Sequence, residues 1–378
     1  ILHTTDSGAN WSVLSLADDP GEDLEKVAAN GGTTVIAIGM SGSFVRSTDS
    51  GATWSNPIQP GPAALLNGIA ASGNTVIAVG NQAGNSNIIF STDQGSTWLT
   101  GTVAADPLQN LNAVAVLSAT DAVAVGQSVA PPASTILRTI DSGLNWTVQA
   151  VTGDPGRDLL AVATSGGTGI AVGLNAGGTS TVLRSTDSGV SWNLQAVTLD
   201  PGQQLNAVAF STSANVVAVG AAGTILRSTD GGAAWGVVGA AVTGSELVDV
   251  AIDAGDASRA LAVGMAGTIV RSTDSGATWA VVGTAVTGNN LNGVVYSGTT
   301  AIAVGDGGTI VRSADGGATW ATETSATANN LNDIIYNGST GLAVGDAGTI
   351  RRSVLTAPIF GVAPNPLAFG NVNVGTPS

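Results

Sequence analysis

One short motif, D-x-G-x-x-W, recurs eight times along the chain and uses every tryptophan that the protein has. Its aspartates are Asp6, Asp49, Asp93, Asp141, Asp187, Asp230, Asp274 and Asp315, and its tryptophans are Trp11, Trp54, Trp98, Trp146, Trp192, Trp235, Trp279 and Trp320. The steps between the aspartates are 43, 44, 48, 46, 43, 44 and 41 residues. A period of this length is typical of an array of similar supersecondary units. The motif therefore fixes the organisation of most of the chain.

Between successive motifs the chain carries the same run of short apolar segments. Each unit has an L-x-x-V segment, a segment ending in A-V-G and a third apolar segment, as in residues 205–210, 217–220 and 224–228. The motif then leads into a fourth segment that starts at the tryptophan. Four short strands in about 40–45 residues are the spacing of a β-propeller blade. We name these strands A, B, C and D, and we predict an all-β propeller of four-stranded antiparallel blades.

The two ends of the array are incomplete in complementary ways. The eight A strands start near Leu24, Leu66, Leu111, Leu159, Leu205, Leu247, Leu291 and Leu331. The last A-B-C set, residues 331–353, has no motif after it, and the first hairpin, residues 1–16, has no A or B strand before it. Pairing the two ends predicts an eight-bladed ring without an exposed edge. One C-type strand is then redundant, so a seven-bladed ring with ragged ends is the alternative.

The composition excludes several classes of protein. The chain of 378 residues has no cysteine and one histidine, and 26 acidic against 11 basic residues give a net charge of -15. This balance disfavours nucleic acid as a partner, because binding to it requires neutralisation of phosphates. Apolar runs are shorter than a membrane-spanning helix requires, so no direct membrane insertion is expected. Neither a metal nor another cofactor is predicted.

The motif, read as S-x-D-x-G-x-x-W, resembles the Asp-box or BNR repeat of sialidases, xyloglucanase-type glycosidases, sortilin-like receptors and photosystem II assembly propellers. The resemblance covers about residues 1–353 and implies the propeller fold, whereas fold alone does not imply function. After Leu355 the pattern changes, and P-x-x-L-x-F-G-x-V-x-V-G-x-x-S resembles the start of the Ig-like modules called ASH or choice-of-anchor domains. We therefore predict a propeller over residues 1–355, followed by a linker and the first strand of a truncated Ig-like module over 356–378.

Turn chemistry explains the residues of the Asp box. In residues 272–279 the carboxylate of Asp274 can accept backbone N–H groups of its own turn, Gly276 can adopt a positive φ and Trp279 can pack beside the sheet. The eight aspartates and eight tryptophans are therefore predicted to be structural. Calcium binding is the alternative, although each turn offers one carboxylate where calcium takes six to eight oxygens.

Two further sets of charged residues are candidate binding sites. A basic ring is formed by the residues three positions before the box aspartate, namely Arg46, Arg138, Arg184, Arg227, Arg271 and Arg312, with Arg352 at the equivalent place in the last C strand. A candidate binding face for cations or a basic partner is formed by acids of the D–A and B–C loops, namely Asp19, Asp106, Asp154, Asp200, Asp306 and Asp346. Blade-to-blade pairing for the ring, and turn formation for the acids, are the structural alternatives. Asn67, Asn112, Asn206, Asn292 and Asn332 share one position at the start of the innermost strand.

The sequence has few candidates for the residues that glycosidase catalysis requires. A sialidase-type site needs a tyrosine nucleophile, but Tyr296 and Tyr336 occupy the same repeat position as Phe210, which indicates core-strand residues. No aromatic residue is left over to line a sugar cleft, because all tryptophans belong to the boxes.

These observations lead to one main interpretation and two alternatives. The main one is a non-catalytic, extracellular or cell-surface propeller that acts as a binding or structural module of a larger protein. The alternatives are a glycoside hydrolase and an assembly factor resembling the photosystem II propellers, with the basic ring as its docking feature. The expected partner is a protein or glycan ligand, with self-association and neighbouring domains of the same chain as further options.

Overall fold

A computed structural model describes residues 2–4, 11–13, 22–30, 32–56, 65–82, 84–129, 133–238, 242–253, 255–282, 286–325, 327–336, 341–347 and 349–352. Asp6, Asp19 and the predicted Ig-like segment 356–378 lie outside these residues. Across the described ranges, no helix has the length and apolar character to cross a membrane.

The described residues are almost entirely β-structure. The first part of the chain forms β1 (Leu2–Thr4), β2 (Ser12–Val13), β3 (Leu24–Ala29), β4 (Val35–Gly39), β5 (Phe44–Ser47), β6 (Leu65–Ser72), β7 (Thr75–Gln82), β8 (Asn85–Ser91), β9 (Leu99–Thr100), β10 (Thr102–Ala104), β11 (Leu111–Val116), β12 (Ala122–Val129), β13 (Ala133–Thr139), β14 (Asn145–Val148), β15 (Ala150–Thr152), β16 (Leu159–Ser165), β17 (Thr168–Ala176), β18 (Thr179–Ser185) and β19 (Ser191–Leu194). The second part forms β20 (Val197–Thr198), β21 (Leu205–Phe210), β22 (Val216–Gly220), β23 (Ile225–Ser228), β24 (Trp235–Val237), β25 (Leu247–Ile252), β26 (Ala260–Gly264), β27 (Ile269–Ser272), β28 (Ala280–Val281), β29 (Leu291–Ser297), β30 (Thr300–Gly305), β31 (Thr309–Ser313), β32 (Ala321–Glu323), β33 (Leu331–Tyr336), β34 (Gly341–Gly345) and β35 (Thr349–Arg352). Four 3-10 turns lie at Met40–Gly42, Ala221–Gly223, Met265–Gly267 and Asp306–Gly308.

Hydrogen bonds group these strands into seven blades and one composite sheet. Each blade is built from one continuous segment: β3–β5, β6–β9, β11–β14, β16–β19, β21–β24, β25–β28 and β29–β32 form blades 1 to 7. The A, B, C and D strands pair antiparallel in sequence order, as the repeat predicts, except that blade 1 has three strands and a single bridge between Arg46 and Ser55 in place of the fourth. The result is an all-β propeller.

The composite sheet corrects the predicted blade count. Seven blades are continuous in the sequence, which is the number of the alternative prediction. The two ends of the chain pair with each other, but the sheet that they form has five strands, with both β1 and β35 bonded to β34, and is not a further four-stranded blade. It combines β33, β34 and β35 from the C-terminal side with β1 and β2 from the N-terminal side.

Packing between neighbouring sheets forms the core. Each of the eight apolar clusters is drawn from two adjacent sheets. Ile170 and Val172 of blade 4, for example, pack with Leu205, Leu226 and Trp235 of blade 5. Both faces of the B and C strands are consequently buried, which explains why their sequences are apolar without alternation.

The innermost strands are joined by an asparagine ring formed by Asn67, Asn112, Asn206, Asn292 and Asn332. In each case the side-chain Nδ2 donates to the carbonyl oxygen of the leucine that starts the next inner strand, at 2.8–3.0 Å. A register shift in every A–B pair falls beside this asparagine position. The bond from Asn332 to Leu24 joins residues 308 positions apart and connects the composite sheet to blade 1.

Three additional strands lie on the outer edges of blades 3, 4 and 5. β10, β15 and β20 pair in parallel with the D strands β14, β19 and β24. Each comes from the connection that leaves the preceding blade. The chain therefore pairs with the outer edge of the following blade before it forms the inner strand of that blade. The sequence did not predict these strands, because the connections are not part of the repeat.

We predict that Asn332→Ala lowers the free energy of unfolding by about 1–2 kcal/mol, because the Leu24 carbonyl loses its donor. Denaturant unfolding followed by tryptophan fluorescence measures the change. Asn193→Ala, at an exposed position, is the control and should unfold like the parent chain. Equal stability of all three proteins would contradict a role of the asparagine ring in closure.

Candidate functional site

The Asp boxes form closed hydrogen-bonded turns. In the box of blade 6, the Asp274 Oδ1 accepts the Thr278 backbone N–H at 2.9 Å and its Oδ2 accepts the Thr278 hydroxyl at 2.6 Å. The Ser272 hydroxyl donates to Asp274 at 2.8 Å and accepts the N–H of Gly276, whose φ is +78°. The indole N–H of Trp279 then donates to the Gly276 carbonyl at 3.1 Å.

These turns leave the box carboxylates little capacity for a ligand. Hydrogen bonds from the Thr319 side chain and backbone lower the pKa of Asp315 to about 2. Across the described residues, no group of three or more metal-ligating side chains is present. The box tryptophans of blades 2 to 6 are buried. In this geometry the box carboxylates accept hydrogen bonds from their own turns, and the structural role of the boxes stays a prediction.

The basic ring lies between neighbouring blades. The Nε of five of its arginines donates to a backbone carbonyl in the Asp box of the next blade, at 2.6–2.8 Å: Arg46 to Gln94, Arg138 to Ser188, Arg184 to Gly231, Arg227 to Ser275 and Arg271 to Gly316. The five side chains are half-buried. Arg312 also makes an interaction, and the side chain of Arg352 is outside the described residues. The arginines thus connect each blade to the next box.

The acids of the candidate binding face are also used within the protein. Asp154 accepts the backbone N–H and hydroxyl of Ser134 and the N–H of Gly156, at 2.8–3.1 Å. Asp200 repeats this arrangement with Ser180 and Gly202.

The other described acids of that face hold turns or asparagines. Asp106 accepts the N–H of Leu108 at 2.8 Å. Asp306 and Asp346 each accept an N–H of the asparagine ring, from Asn292 and Asn332, at 3.0 Å. Asp306 and Asp346 therefore lie beside the asparagine ring, whereas Asp106, Asp154 and Asp200 stabilise turns in the connections between blades.

The inner strands surround a central channel that contains a cavity of about 530 Å³. Residues of seven inner strands line it, including Lys26, Asn112, Asn206 and Asp249, and Met265 of a B–C turn lies at its mouth. Concave sites of this volume are typical of ligand binding in proteins, and this one is lined by asparagine and charged side chains as well as by apolar residues.

A charged cluster occupies one level of this channel. The third residue of each inner strand is Gly or Ala in five of the eight repeats, but Lys26, Asp249 and Asp333 in the others. Lys26 is the only lysine of the chain. The charge of Asp333, and to a smaller extent that of Asp249, raises its pKa. None of the three ion pairs found among the described residues includes Lys26.

The two aspartates also reach the next inner strand. Asp249 accepts the N–H of Val294 at 2.9 Å, and Asp333 accepts the N–H of Val27 at 3.0 Å. Burial raises the pKa of Asp249 to about 6, against the effect of the Val294 hydrogen bond and of Lys26. The sequence analysis did not single out these residues. The only available signal was that charged side chains interrupt a position otherwise held by Gly or Ala.

A second cluster missed by the sequence analysis surrounds Tyr296. Its hydroxyl donates to the Gly316 carbonyl at 2.6 Å, and the Arg259 guanidinium lies 5.8 Å from its ring centroid. Arg259 also pairs with Asp253 at 2.8 Å and with Asp256 at 3.0 Å. Burial raises the pKa of Tyr296, whereas a tyrosine nucleophile needs easier loss of its proton. The cluster therefore supports the structural interpretation of Tyr296.

The comparison with protein-family models adds an assignment of family. The model described as photosynthesis system II assembly factor YCF48 matches residues 1–229. The chain belongs to the YCF48 family. No curated protein matched the chain.

Solved structures similar to this member of the YCF48 family share its fold. The structure of YCF48 bound to a D1 peptide is 16% identical in sequence and has a TM-score of 0.62. The match covers 94% of this chain and 98% of the YCF48 chain. YCF48 from Cyanidioschyzon merolae is 18% identical, with coverage of 92% and 99% and a TM-score of 0.56. The computationally designed Ika8 protein is 13% identical, with coverage of 90% and 98% and a TM-score of 0.69.

The family match changes the order of the predicted functions. It favours the assembly-factor alternative, and nothing in the comparisons supports the extracellular binding module that was the main interpretation. A YCF48-like propeller also agrees better with a protein that is not an enzyme than with a glycoside hydrolase. Secretion stays a prediction from the sequence.

We predict that Arg227→Lys lowers the free energy of unfolding by about 1–2 kcal/mol, because lysine keeps the charge but loses the Nε bond to Ser275. Chemical denaturation is the measurement. Arg157→Lys changes an exposed arginine outside the ring and should leave stability unchanged. A stable Arg227→Lys variant would show that the ring arginines do not hold the blades together.

We predict that Asp249→Asn gains stability relative to the parent chain as the pH rises from 4 to 7. The folded-state pKa of about 6 exceeds the ordinary value of 3.8. Between these values the folded protein keeps a proton that the unfolded chain has lost, so the parent loses stability as the pH rises. The asparagine has no such proton. Parallel stability curves for the two proteins over this range would contradict the raised pKa.

Proposed function

We propose that this chain is a non-catalytic binding propeller of the assembly-factor type, and that it binds an extended segment of a partner protein at the mouth of the central channel. The observation that carries the proposal is the 530 Å³ cavity, which is lined by seven inner strands. Membership of the YCF48 family supports the type of function. The fold is shared with a YCF48 that binds a D1 peptide, and this likeness supports a peptide as the ligand.

The charges around the cavity favour a segment that carries a basic side chain. Glu246 and Asp249 line the cavity together with Lys26, and Asp306 lies beside it through its bond to Asn292. A cationic group entering the mouth would meet more negative than positive charge. Such complementarity increases the rate and the selectivity of binding.

The basic ring is the second candidate docking site, and its geometry makes it the weaker one. Five of its arginines already use their Nε atoms to hold the next blade. An acidic ligand would have to bind through the remaining guanidinium N–H groups, some of which already have partners, such as Asp121 for Arg138. The acids at the channel mouth also accept hydrogen bonds within the protein, but they lie at an open cavity, whereas the ring arginines lie between blades.

We predict that Met265→Lys weakens peptide binding about tenfold, because a positive charge at the mouth opposes the basic side chain of the ligand. Fluorescence anisotropy with a labelled D1 peptide and with labelled basic peptides measures the affinity. Met40→Lys is the matched control: Met40 and Met265 start equivalent 3-10 turns and are 40% and 38% exposed, but only Met265 lines the cavity. Added salt should weaken binding to the parent chain.

Three outcomes would contradict the proposal in different ways. Absence of binding by the parent chain would refute the peptide-binding function. Binding that is insensitive to Met265→Lys but lost in the folded fraction of Arg227→Lys would move the site to the basic ring. Cleavage of sialosides or β-glucans would refute the non-catalytic assignment.

A further inference from the structure

The connections between the B and C strands differ in length around the ring. In blades 1, 5, 6 and 7 a 3-10 turn of three residues joins the two strands. In blades 2, 3 and 4 the strands continue past this level as long hairpins, whose last pairs are Gln82–Asn85, Val129–Ala133 and Ala176–Thr179. Two or three further residues per strand extend each hairpin by about 7–10 Å. Three adjacent blades are therefore taller than the others on the side of the propeller where Met265 marks the channel mouth.

The long hairpin of blade 4 is held by the connection that leaves the same blade. The Asn175 Nδ2 donates to the Gly202 carbonyl at 2.7 Å. The N–H and the hydroxyl of Ser180 donate to Asp200 at 2.8 and 2.7 Å. Gly202 has a φ of +66°, and a Cβ at this position would overlap the carbonyl oxygen of Gly178 in the hairpin. The connection thus fits closely against the hairpin.

The long hairpins of blades 2 and 3 are held in the same manner. In blade 3 the N–H and the hydroxyl of Ser128 donate to Asp158 at 2.8 Å. In blade 2 the Ser86 hydroxyl donates to the Gln109 carbonyl at 3.1 Å. Because these bonds form within the protein, the hairpins are ordered before a ligand arrives. Binding to a surface that is already ordered costs less conformational entropy.

The long hairpins differ in chemistry from the other side of the cavity. Their sequences, NQAGNS, QSVAPPAS and LNAGGTS over residues 81–86, 127–134 and 174–180, contain no charged residue. The inner strands of the same three blades line the cavity, so the hairpins continue its wall on that side. Blade 6, by contrast, contributes Glu246 and Asp249 to the lining. One side of the mouth is uncharged and tall, and the other is acidic and low.

We propose that the long hairpins are a second recognition surface for the peptide, which lies across the mouth with its uncharged residues against them and its basic side chain at blade 6. The inference rests on the proposed function and adds the position and the direction of the peptide. Amide and hydroxyl groups of the hairpins can bond to the backbone of an extended segment. The two surfaces together select a segment that is basic at one end and uncharged at the other.

Directed cross-linking tests this orientation, because the chain has no cysteine of its own. Gln127→Cys and Met265→Cys place a thiol at equivalent exposed positions, directly after the last B-strand glycine of blades 3 and 6. The probe is an extended peptide with arginine at one end and serine, asparagine and valine elsewhere. It is made in two forms, with a thiol-reactive chloroacetyl group at the basic or at the uncharged end. We expect the uncharged end to label Gln127→Cys faster, and the basic end to label Met265→Cys faster.

The controls separate this proposal from the proposed function. Chloroacetamide without a peptide gives the intrinsic reactivity of each thiol, by which the rates are divided. Equal labelling of both variants by both probes, or the reverse preference, would overturn the proposal. Anisotropy with the same peptide and the cysteine-free parent measures binding as such. Binding without a preferred orientation refutes only the hairpin surface, whereas absence of binding refutes the proposed function and the orientation together.

A hairpin exchange tests the surface itself. Residues 174–180 of blade 4 can be replaced by the Ala-Ala-Gly turn of residues 221–223 in blade 5, because Gly and Thr flank both segments. We expect the affinity for the peptide to fall about tenfold, because its uncharged part loses contacts with an ordered surface. A peptide trimmed to its basic end should bind the parent and the exchanged chain equally. Met265→Lys should weaken binding by the same factor in both chains, since the two ends are recognised separately.

Unchanged affinity of a folded exchanged chain for the full peptide would overturn the proposal. Circular dichroism and the Tm show whether the exchanged chain is folded. Gly202→Ala is the second variant, because it displaces the same hairpin without removing any of its residues, and it should weaken binding of the full peptide but not of the trimmed one. Equal weakening of both peptides would indicate general damage to the mouth and would also contradict the proposal. The cross-linking result does not depend on either variant.

Discussion

The structure depends on hydrogen bonds that connect each blade to the next at two heights. Near the channel, an asparagine side chain donates to the first leucine carbonyl of the next inner strand. Near the Asp boxes, an arginine Nε donates to a box carbonyl of the next blade. Apolar packing between blades is non-directional, whereas these bonds fix the position of one blade on another. Most of the repeated polar residues are used in this way.

The repeat made the strands and their order predictable, because each repeat encodes a complete set of turn and strand signals. It could not predict β10, β15 and β20, since the connections that form them vary in length and sequence. The blade count was only partly predictable for a similar reason. The number of repeats is visible in the sequence, but whether Leu2–Thr4 and Thr349–Arg352 occupy separate positions depends on register, which the repeat gives equally to both.

The candidate site was less predictable than the fold. The arginines and the loop acids were chosen as candidates because they recur at equivalent positions. Residues with a structural role recur in the same way, because every blade has to pack against its neighbour. Lys26, Asp249 and Asp333 stand where the other repeats have Gly or Ala. They were missed because the candidate sites were chosen from residues that the repeats share. Their proximity became clear only when the inner strands of blades 1 and 6 and of the composite sheet were placed around one channel.

This distinction between repeated and unrepeated residues bears on function. Where all blades share a residue, its contacts hold blades together, as Arg227 and Asn206 do. Where single inner strands depart from the others, as at Asp249 and Asp333, the side chain bonds to the next inner strand and also brings a charge to the channel. In the channel, five small residues leave space while Lys26 and Asp249 place charge on two sides of the cavity. An asymmetric distribution of charge in a symmetric frame allows a propeller to hold an extended segment in one direction, which a ring of identical blades cannot do.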